Sequence, residues 1–547
     1  MSTAVPQPPD ATPAHHVAVA EMPAGLRTAL DNYERSLAAD DLAALADAFV
    51  DSPATLRGSE PGLLVGPDEI NGFRSDRGGV PGRTLSHVEA RRVSDHVWLV
   101  MGVSVFDDGG RGLQTQLWVR EPDRWRICAA HVTQRPKAFD RTVWRTLGDP
   151  LIPATSDGPL TGLTVAVKDV FAVAGHSTGA GNPAWLGTAA AQTRHAWAVA
   201  SLLAGGVSVR GIATTDELAY SIAGVNAHYG TPPNVRDPRA LPGGSSSGPA
   251  SAVALGQADI GLATDTAGSI RVPASYQGLW GLRTSHGLVP RDGVLPLAPT
   301  FDTVGWLTRD GETLERVLSW TLRCLSDGPV CGWENGTPAA ATRLLLPVAA
   351  PDAVGPQARE RFERWARQAA ERLGLTLTRV QEGDLTAYRD AFRTVQAAEA
   401  WRAHGAFFTA HPDAFGADVA ERFRAAAEVT AAEEAAARAA VTRARAEVRA
   451  LLGPDLLALP TVPGPAPERD GDLAALETVR AATLRMTTLA GIGGLPALSV
   501  PAFDLGDGRR SRTVGACLVG PYGADLRLVR TARRLMTPDA GQGRAPA

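Results

Sequence analysis

Apolar residues recur at helical spacing between Ala24 and Val50, at Leu26, Leu30, Tyr33, Leu37, Leu42, Leu45 and Phe49, which predicts helix at the start of the ordered chain. The period then drops to two. Segments His96–Phe106, Gly112–Arg120 and Arg124–Thr133 read as strands, divided by turn signals at Asp107-Asp-Gly-Gly110 and Glu121-Pro-Asp123. Helix followed by consecutive strands predicts an α+β unit with a curved antiparallel sheet, here residues 23–136. Residues 1–22, rich in Pro and Ala, read as a disordered tail, and residues 137–159, with Pro150, Pro153 and Pro159, as a linker.

The texture changes at Leu160. Short apolar runs (Leu163–Val167, Val207–Ile212, Ile260–Thr264) alternate with helical stretches such as Ala196–Ala204 and Gly248–Leu255. This predicts an α/β domain over residues 160–537 with a mixed central sheet flanked by helices. An Ala/Glu/Arg-rich helical insertion covers 385–452, interrupted near His411-Pro412, and its part Glu421–Leu452 reads as one long surface helix. Strand-like pieces return at Leu456–Leu459 and Val514–Val519, and 538–547 reads as a second disordered tail.

Composition narrows the function. The 547 residues, 44% hydrophobic and 20% charged, suit a soluble protein of two to four domains. A net charge of −4 argues against nucleic acid or an anionic membrane as main partner. No apolar run reaches the ~18 residues of a membrane span, and no basic-then-apolar leader opens the chain. Cys128, Cys324, Cys331 and Cys517 lie at no metal spacing and read as reduced thiols, so a cytoplasmic location is expected; a Cys324–Cys331 bridge is the lesser alternative.

Of 54 basic residues only Lys137 and Lys168 are lysines. Lys168 sits in the apolar run Thr164-Val-Ala-Val-Lys-Asp-Val170. Arginine cannot give up its proton, whereas a desolvated lysine can. The run therefore marks either a lysine at a strand end reaching water or a site that needs a neutral amine. Downstream, Pro242-Gly-Gly-Ser-Ser-Ser-Gly248 forms a tight, hydroxyl-rich loop ahead of a helix; it lacks the Gly-Lys-Ser/Thr of a phosphate cradle. Thr264-Asp-Thr-Ala-Gly-Ser-Ile-Arg-Val-Pro273 runs from a strand into a small-residue turn presenting Ser269. Gly175-His-Ser-Thr-Gly179 matches a nucleophile elbow on paper, but loop chemistry follows Ser177 where that elbow needs a helix.

Lys168, the Gly-Gly-Ser-Ser-Ser-Gly loop and the Thr-Asp-Thr-Ala-Gly-Ser-Ile-Arg run together resemble the amidase signature family of serine hydrolases, down to the 24 positions between Ser245 and Ser269. The resemblance continues through Gly205–Gly211, Thr215–Tyr220, Gly278–Arg283, Asp302–Gly305, Leu459–Thr461, Gly494–Pro501 and Leu518–Pro521. It implies Ser269 as nucleophile, Ser245 as bridging serine after a cis bond to Gly244, and Lys168 as the base. Lowering a lysine from ~10.4 to near 7 takes roughly 4–5 kcal/mol of differential solvation, which burial in a strand can supply. Backbone N–H groups of Thr266, Ala267, Gly268 and Ser269 would hold the oxyanion, with Gly243, Gly244, Asp265 and Arg271 in support. The resemblance calls for neither metal nor organic cofactor. Ala267 departs from the family's usual glycine, which requires that this position avoid positive φ, and Arg283-Thr284 replaces the usual Lys-Pro in what is expected to be pocket wall.

Residues 24–135 resemble the cone-shaped nuclear-transport-factor-2-like fold, nearest its AtzH-type branch, through Arg57, Gly66–Ile70, Phe73-Arg74, Gln114–Arg120 and Trp125–Val132. Alternation along Arg126–Thr133 puts His131 on the inner face with Ile127 and Ala129, and Arg57, Arg74 and Arg77 are candidates to bind a carboxylate there. The expectation is an amidohydrolase of a small amide or ureide, dimeric through the cone. The alternatives are a glutamine-dependent amidotransferase subunit and a non-catalytic interaction scaffold.

Overall fold

The computed structural model describes residues 22–59, 62–76, 82–106, 111–133, 140–326, 340–348, 354–506 and 511–537. The terminal tails, Arg77, Lys137 and the Cys324–Cys331 pairing lie outside the described residues. The chain divides into two compact units, Met1–Asp140 and Arg141–Ala547.

The first unit is one sheet wrapped on a helix. Strands β1 (Leu56–Ser59), β2 (Gly62–Val65), β3 (Arg83–Ser94), β4 (Val97–Phe106), β5 (Arg111–Arg120) and β6 (Trp125–Thr133) lie in the order β2-β1-β6-β5-β4-β3. All pairs are antiparallel except β1 with β6. Alternate residues Trp98, Val100, Trp118 and Ile127 point inward onto Leu26, Leu30, Tyr33 and Leu37 of the helix Ala24–Ala38. The initial helical stretch is two helices, Ala24–Ala38 and Leu42–Asp47, the second capped by the Asp41 carboxylate on the Ala44 N–H. Strand β3 escapes the sequence pattern because most of it is exposed, with Ala90 its buried residue.

The second unit carries an 11-stranded mixed sheet. Its strands are β7 (Trp144–Ile152), β8 (Thr164–Lys168), β9 (Ser208–Ala213), β10 (Ile260–Asp265), β11 (Trp280–Arg283), β12 (Thr303–Thr308), β13 (Arg343–Pro347), β14 (Thr376–Val380), β15 (Leu456–Pro460), β16 (Ala497–Asp504) and β17 (Thr513–Val519). They run β14-β13-β15-β17-β16-β11-β12-β10-β8-β9-β7, with β8 parallel to both β9 and β10. Strand β7 occupies residues expected to be linker. It is an edge strand, where Pro150 falls in an irregular stretch and costs no interior ladder bond. The central strands are buried on both faces, and helices such as Trp197–Ala204 and Gly311–Ser326 cover them with leucine and valine.

The 385–452 insertion is three helices, Leu385–Ala410, Ala417–Ala427 and Ala431–Leu452. The expected single helix Glu421–Leu452 is broken, because Thr430 accepts from the Glu433 N–H while the Glu433 carboxylate accepts from the Thr430 N–H, a capping box that starts a new helix. Ala437, Val441, Ala444 and Val448 of that helix are buried against Leu484, Leu489 and Phe392.

Candidate active site

Strand β8 delivers Lys168 from the interior of the sheet. Pairing of Val167 with Leu262 on the parallel neighbour β10 brings Lys168 and Thr264 to the same carboxyl edge, where α/β sheets place their sites. Lys168 is wholly buried, and its Nζ lies 2.9 Å from Ser245 Oγ and 2.9 Å from Thr264 Oγ1. Burial lowers its pKa to about 7, against the opposing pull of Asp216, Asp265 and Asp302. At neutral pH the amine is therefore substantially unprotonated.

The serine loop is held by its backbone. The Gly244–Ser245 peptide is cis. The Ser245 carbonyl accepts from the Asp216 N–H (3.1 Å) and the Thr215 hydroxyl (2.8 Å), and Gly244 donates to the Ile222 carbonyl (2.9 Å). A side chain at Gly244 would sit 2.3 Å from Asp216 Oδ2, so only glycine fits. Gly243 holds φ +75° in the same turn. Asp216 accepts from the Ser247 hydroxyl (3.0 Å) and the Gly224 N–H (3.0 Å); burial pushes its carboxyl upward despite those bonds and the nearby Lys168.

Ser269 stands on the turn after β10, tied to the serine loop by the Ser246 N–H on its carbonyl (3.2 Å). Asp265 organises that turn. Its carboxylate accepts from the backbone of Gly268 and Ile270 and from Arg271 and Arg283. Burial alone would raise Asp265, but the two guanidiniums overcome it and hold the group well below the usual carboxylate range. Arg283 is not pocket wall: wholly buried, it also donates to the carbonyls of Asp265, Thr266 and Phe301. Ala267 has no positive φ; the unusual conformation, φ +122°, falls on Gly268.

The turn's donors are not equivalent. The Gly268 N–H is engaged by Asp265 Oδ1 at 2.9 Å, which removes it from the expected oxyanion set. Among the described residues no acceptor takes the N–H of Thr266, Ala267 or Ser269. Thr266 and Ala267 are further fixed through Asp302, which accepts the Thr266 hydroxyl (2.6 Å), and Thr487, whose hydroxyl donates to the Ala267 carbonyl (2.6 Å). Ser269, Thr266 and Ala267 line a cavity of about 380 Å³, closed on other sides by Tyr220, Ile222 and Leu484. Sequence reasoning overlooked Thr264, Asp216 and Thr487. The first two lie inside motifs already singled out, whereas nothing near Thr487 marks it.

In the first unit the expected cluster separates. Arg57 points inward, buried, with its guanidinium 5.4 Å from the Phe73 ring. Arg74 is also buried, but it donates to the Leu45 carbonyl (2.7 Å) and covers the Phe49 ring. His131 is on the outer face, exposed, beside Gly58. The correction has a local cause: the register shifts between Leu117 and Trp118, so Cys128 is an extra residue, Ile127 and Ala130 both face in, and His131 turns out. Ser177 donates to the Ala189 carbonyl and takes no part in the site.

The family model described as Amidase matches residues 149–529. The chain belongs to the amidase family. A second model, AtzH-like, matches residues 15–137, so the amidase unit is preceded by an AtzH-like domain. Amidase 1 of Arabidopsis thaliana is 35% identical over 396 residues, covering 68% of this amidase and 92% of that protein. A solved crystal structure of an amidase superposes with a TM-score of 0.61 at 30% identity, over 69% of this chain and 85% of the other. Translocon at the outer membrane of chloroplasts 64 of Pisum sativum is 30% identical over 410 residues, covering 70% of this chain and 67% of that one. This last relative overturns the cytoplasmic expectation. That relative is named for an organelle outer membrane, so the reduced-cysteine argument does not mark a compartment for a chain of this kind. Among the described residues no helix is long and apolar enough to cross a membrane.

Proposed function

We propose that this amidase cleaves the C–N bond of a small amide or ureide by a serine relay. Neutral Lys168 takes the proton of Ser245, Ser245 takes that of Ser269, and Ser269 Oγ attacks the carbonyl carbon. The N–H groups of Thr266, Ala267 and Ser269 receive the oxyanion. Collapse expels the amine, protonated back along the relay, and water then cleaves the acyl-enzyme. The observation that carries this reading is the buried Lys168 amine, lowered to about 7 and 2.9 Å from Ser245 Oγ. The test is ammonia release from a panel of small amides, ureides and glutamine, with covalent capture by a fluorophosphonate read by intact mass. Ser269→Ala is expected to abolish both; activity surviving in that variant refutes the nucleophile, and release confined to glutamine favours the amidotransferase alternative.

For the AtzH-like domain we infer a small-anion pocket on the inner face, centred on Arg57 without His131. Arg57 Nε and Nη1 are buried and find no acceptor among the described residues. We also infer a homodimer through the outer face of its sheet, supported by the exposure of Leu63, Met101 and Leu113 there.

A further inference from the structure

Three separate helices each send one arginine to the cavity that Ser269 lines. Arg393 comes from Leu385–Ala410, Arg422 from Ala417–Ala427 and Arg480 from Leu473–Gly493. Arg480 is the deepest in charge conflict. Burial, and then Arg422 and Arg393, push its guanidinium below its ordinary value. Its Nε is buried without an acceptor among the described residues, and its ion pair is a 3.3 Å contact to Glu477, a side chain 64% exposed. Arg422 donates to the Tyr220 carbonyl (2.8 Å) and reaches Asp418 (3.1 Å), which lies 63% exposed. Arg393 is exposed and pairs with no carboxylate among the described residues. One carboxylate, Asp390, does line the cavity, but Arg389 holds it with two N–H bonds of 2.9 and 2.7 Å.

Gathering three guanidiniums in one cavity costs mutual repulsion and desolvation, and acidic neighbours at its outer edge offset little of that through solvent. An anion inside the cavity offsets it well, because a carboxylate matches the planar donor fork of arginine. We infer that the substrate is an amide bearing a carboxylate remote from the scissile carbonyl, gripped by Arg480, Arg422 and Arg393 while Ser269 attacks. This rests on the reading of Ser269 as nucleophile. The class so defined is the half-amides of small dicarboxylic acids, with neutral aliphatic amides disfavoured. Holding the carboxylate also fixes the carbonyl over Ser269, so the same contact that selects the substrate orients it.

The test measures how fast a fluorophosphonate labels Ser269, by intact mass, with succinate or glutarate present and with the neutral succinamide or glutaramide in their place. The diacids are expected to protect at least tenfold better than the diamides, and that advantage to fall at least tenfold in Arg480→Gln. Arg393→Gln, at an exposed position that folding tolerates, is expected to move it the same way by a smaller factor. Succinamate is expected to exceed butyramide in kcat/KM with the same dependence on Arg480. Equal protection by diacid and diamide, or protection unchanged in both variants, overturns the inference and leaves the nucleophile standing. Absence of labelling at Ser269 in the unaltered enzyme overturns the reading beneath it.

Discussion

Lys168 Nζ meets two hydroxyls, Ser245 Oγ and Thr264 Oγ1, both at 2.9 Å. An ammonium there can only donate, whereas the free amine keeps a lone pair for the Ser245 proton. Because the folded value is lowered to about 7, protonation below that pH removes the base. The expected pH profile of kcat/KM rises through about 7 and then levels, and it is measured with any amide the enzyme turns over. Lys168→Arg keeps the charge and cannot supply a free base, so a loss of roughly 10³-fold without a recovered limb at high pH is expected. Asp265 invites a stability measurement instead. With Asp265→Asn, buried Arg271 and Arg283 lose their shared counter-charge, a cost of about 3–5 kcal/mol, read from urea unfolding. Lys168 and Ser269 were legible in the sequence because chemistry-bearing residues stand out against apolar or small neighbours. The engagement of the Gly268 N–H was not, since it depends on which carboxylate oxygen folds back under the turn.

The elements were legible in proportion to how plainly burial shaped them. Strands β8 and β10, closed on both faces, read as continuous apolar runs, and the structure moves their ends by a residue at most. Strand β7 was hidden by its prolines, which an edge position tolerates. The bulge at Cys128 was hidden because no glycine or proline marks it, and one inserted residue was enough to reverse His131. The break at Thr430 was masked by an alanine-rich stretch whose propensity favours helix throughout. Its signal was nonetheless present, as Thr430 followed three residues later by Glu433. That cap has a measurable worth. Thr430→Ala is expected to destabilise the second unit by ~1 kcal/mol in thermal unfolding, and Thr430→Ser to restore most of it. The consequence reaches the site, since the helix Ala431–Leu452 packs through Val441 and Val448 in the same cluster as Leu484, which lines the cavity.

The division of the chain into two units was legible from the change in period, helix-then-strands against alternation, whereas the amidase character of the second was carried by Lys168 and the two serine motifs. Quaternary structure was not, because a face that meets another copy looks the same in sequence as a face that meets water. The outer side of the cone sheet supplies the missing argument. Leu113, 53% exposed, and Met101, 48%, stand on strands where alternation with the buried inner residues leaves them pointing out, and Leu63, 64% exposed, lies in the same cross-strand row as Met101. Exposed apolar side chains on one face of a sheet, with Thr115 and His131 between them, are what an isologous contact between two copies covers. His131 stands on the same outer side, opposite Thr115, so its displacement from the expected pocket puts it on the proposed interface. Light scattering of the full chain at micromolar concentration is expected to give twice the 57.2 kDa chain mass. The pair Met101→Asp and Leu113→Asp, which places like charges on both copies, is expected to return the single-chain mass while ammonia release by the second unit is retained. A monomer before substitution removes the dimer; a dimer that survives the two aspartates moves the contact off this face.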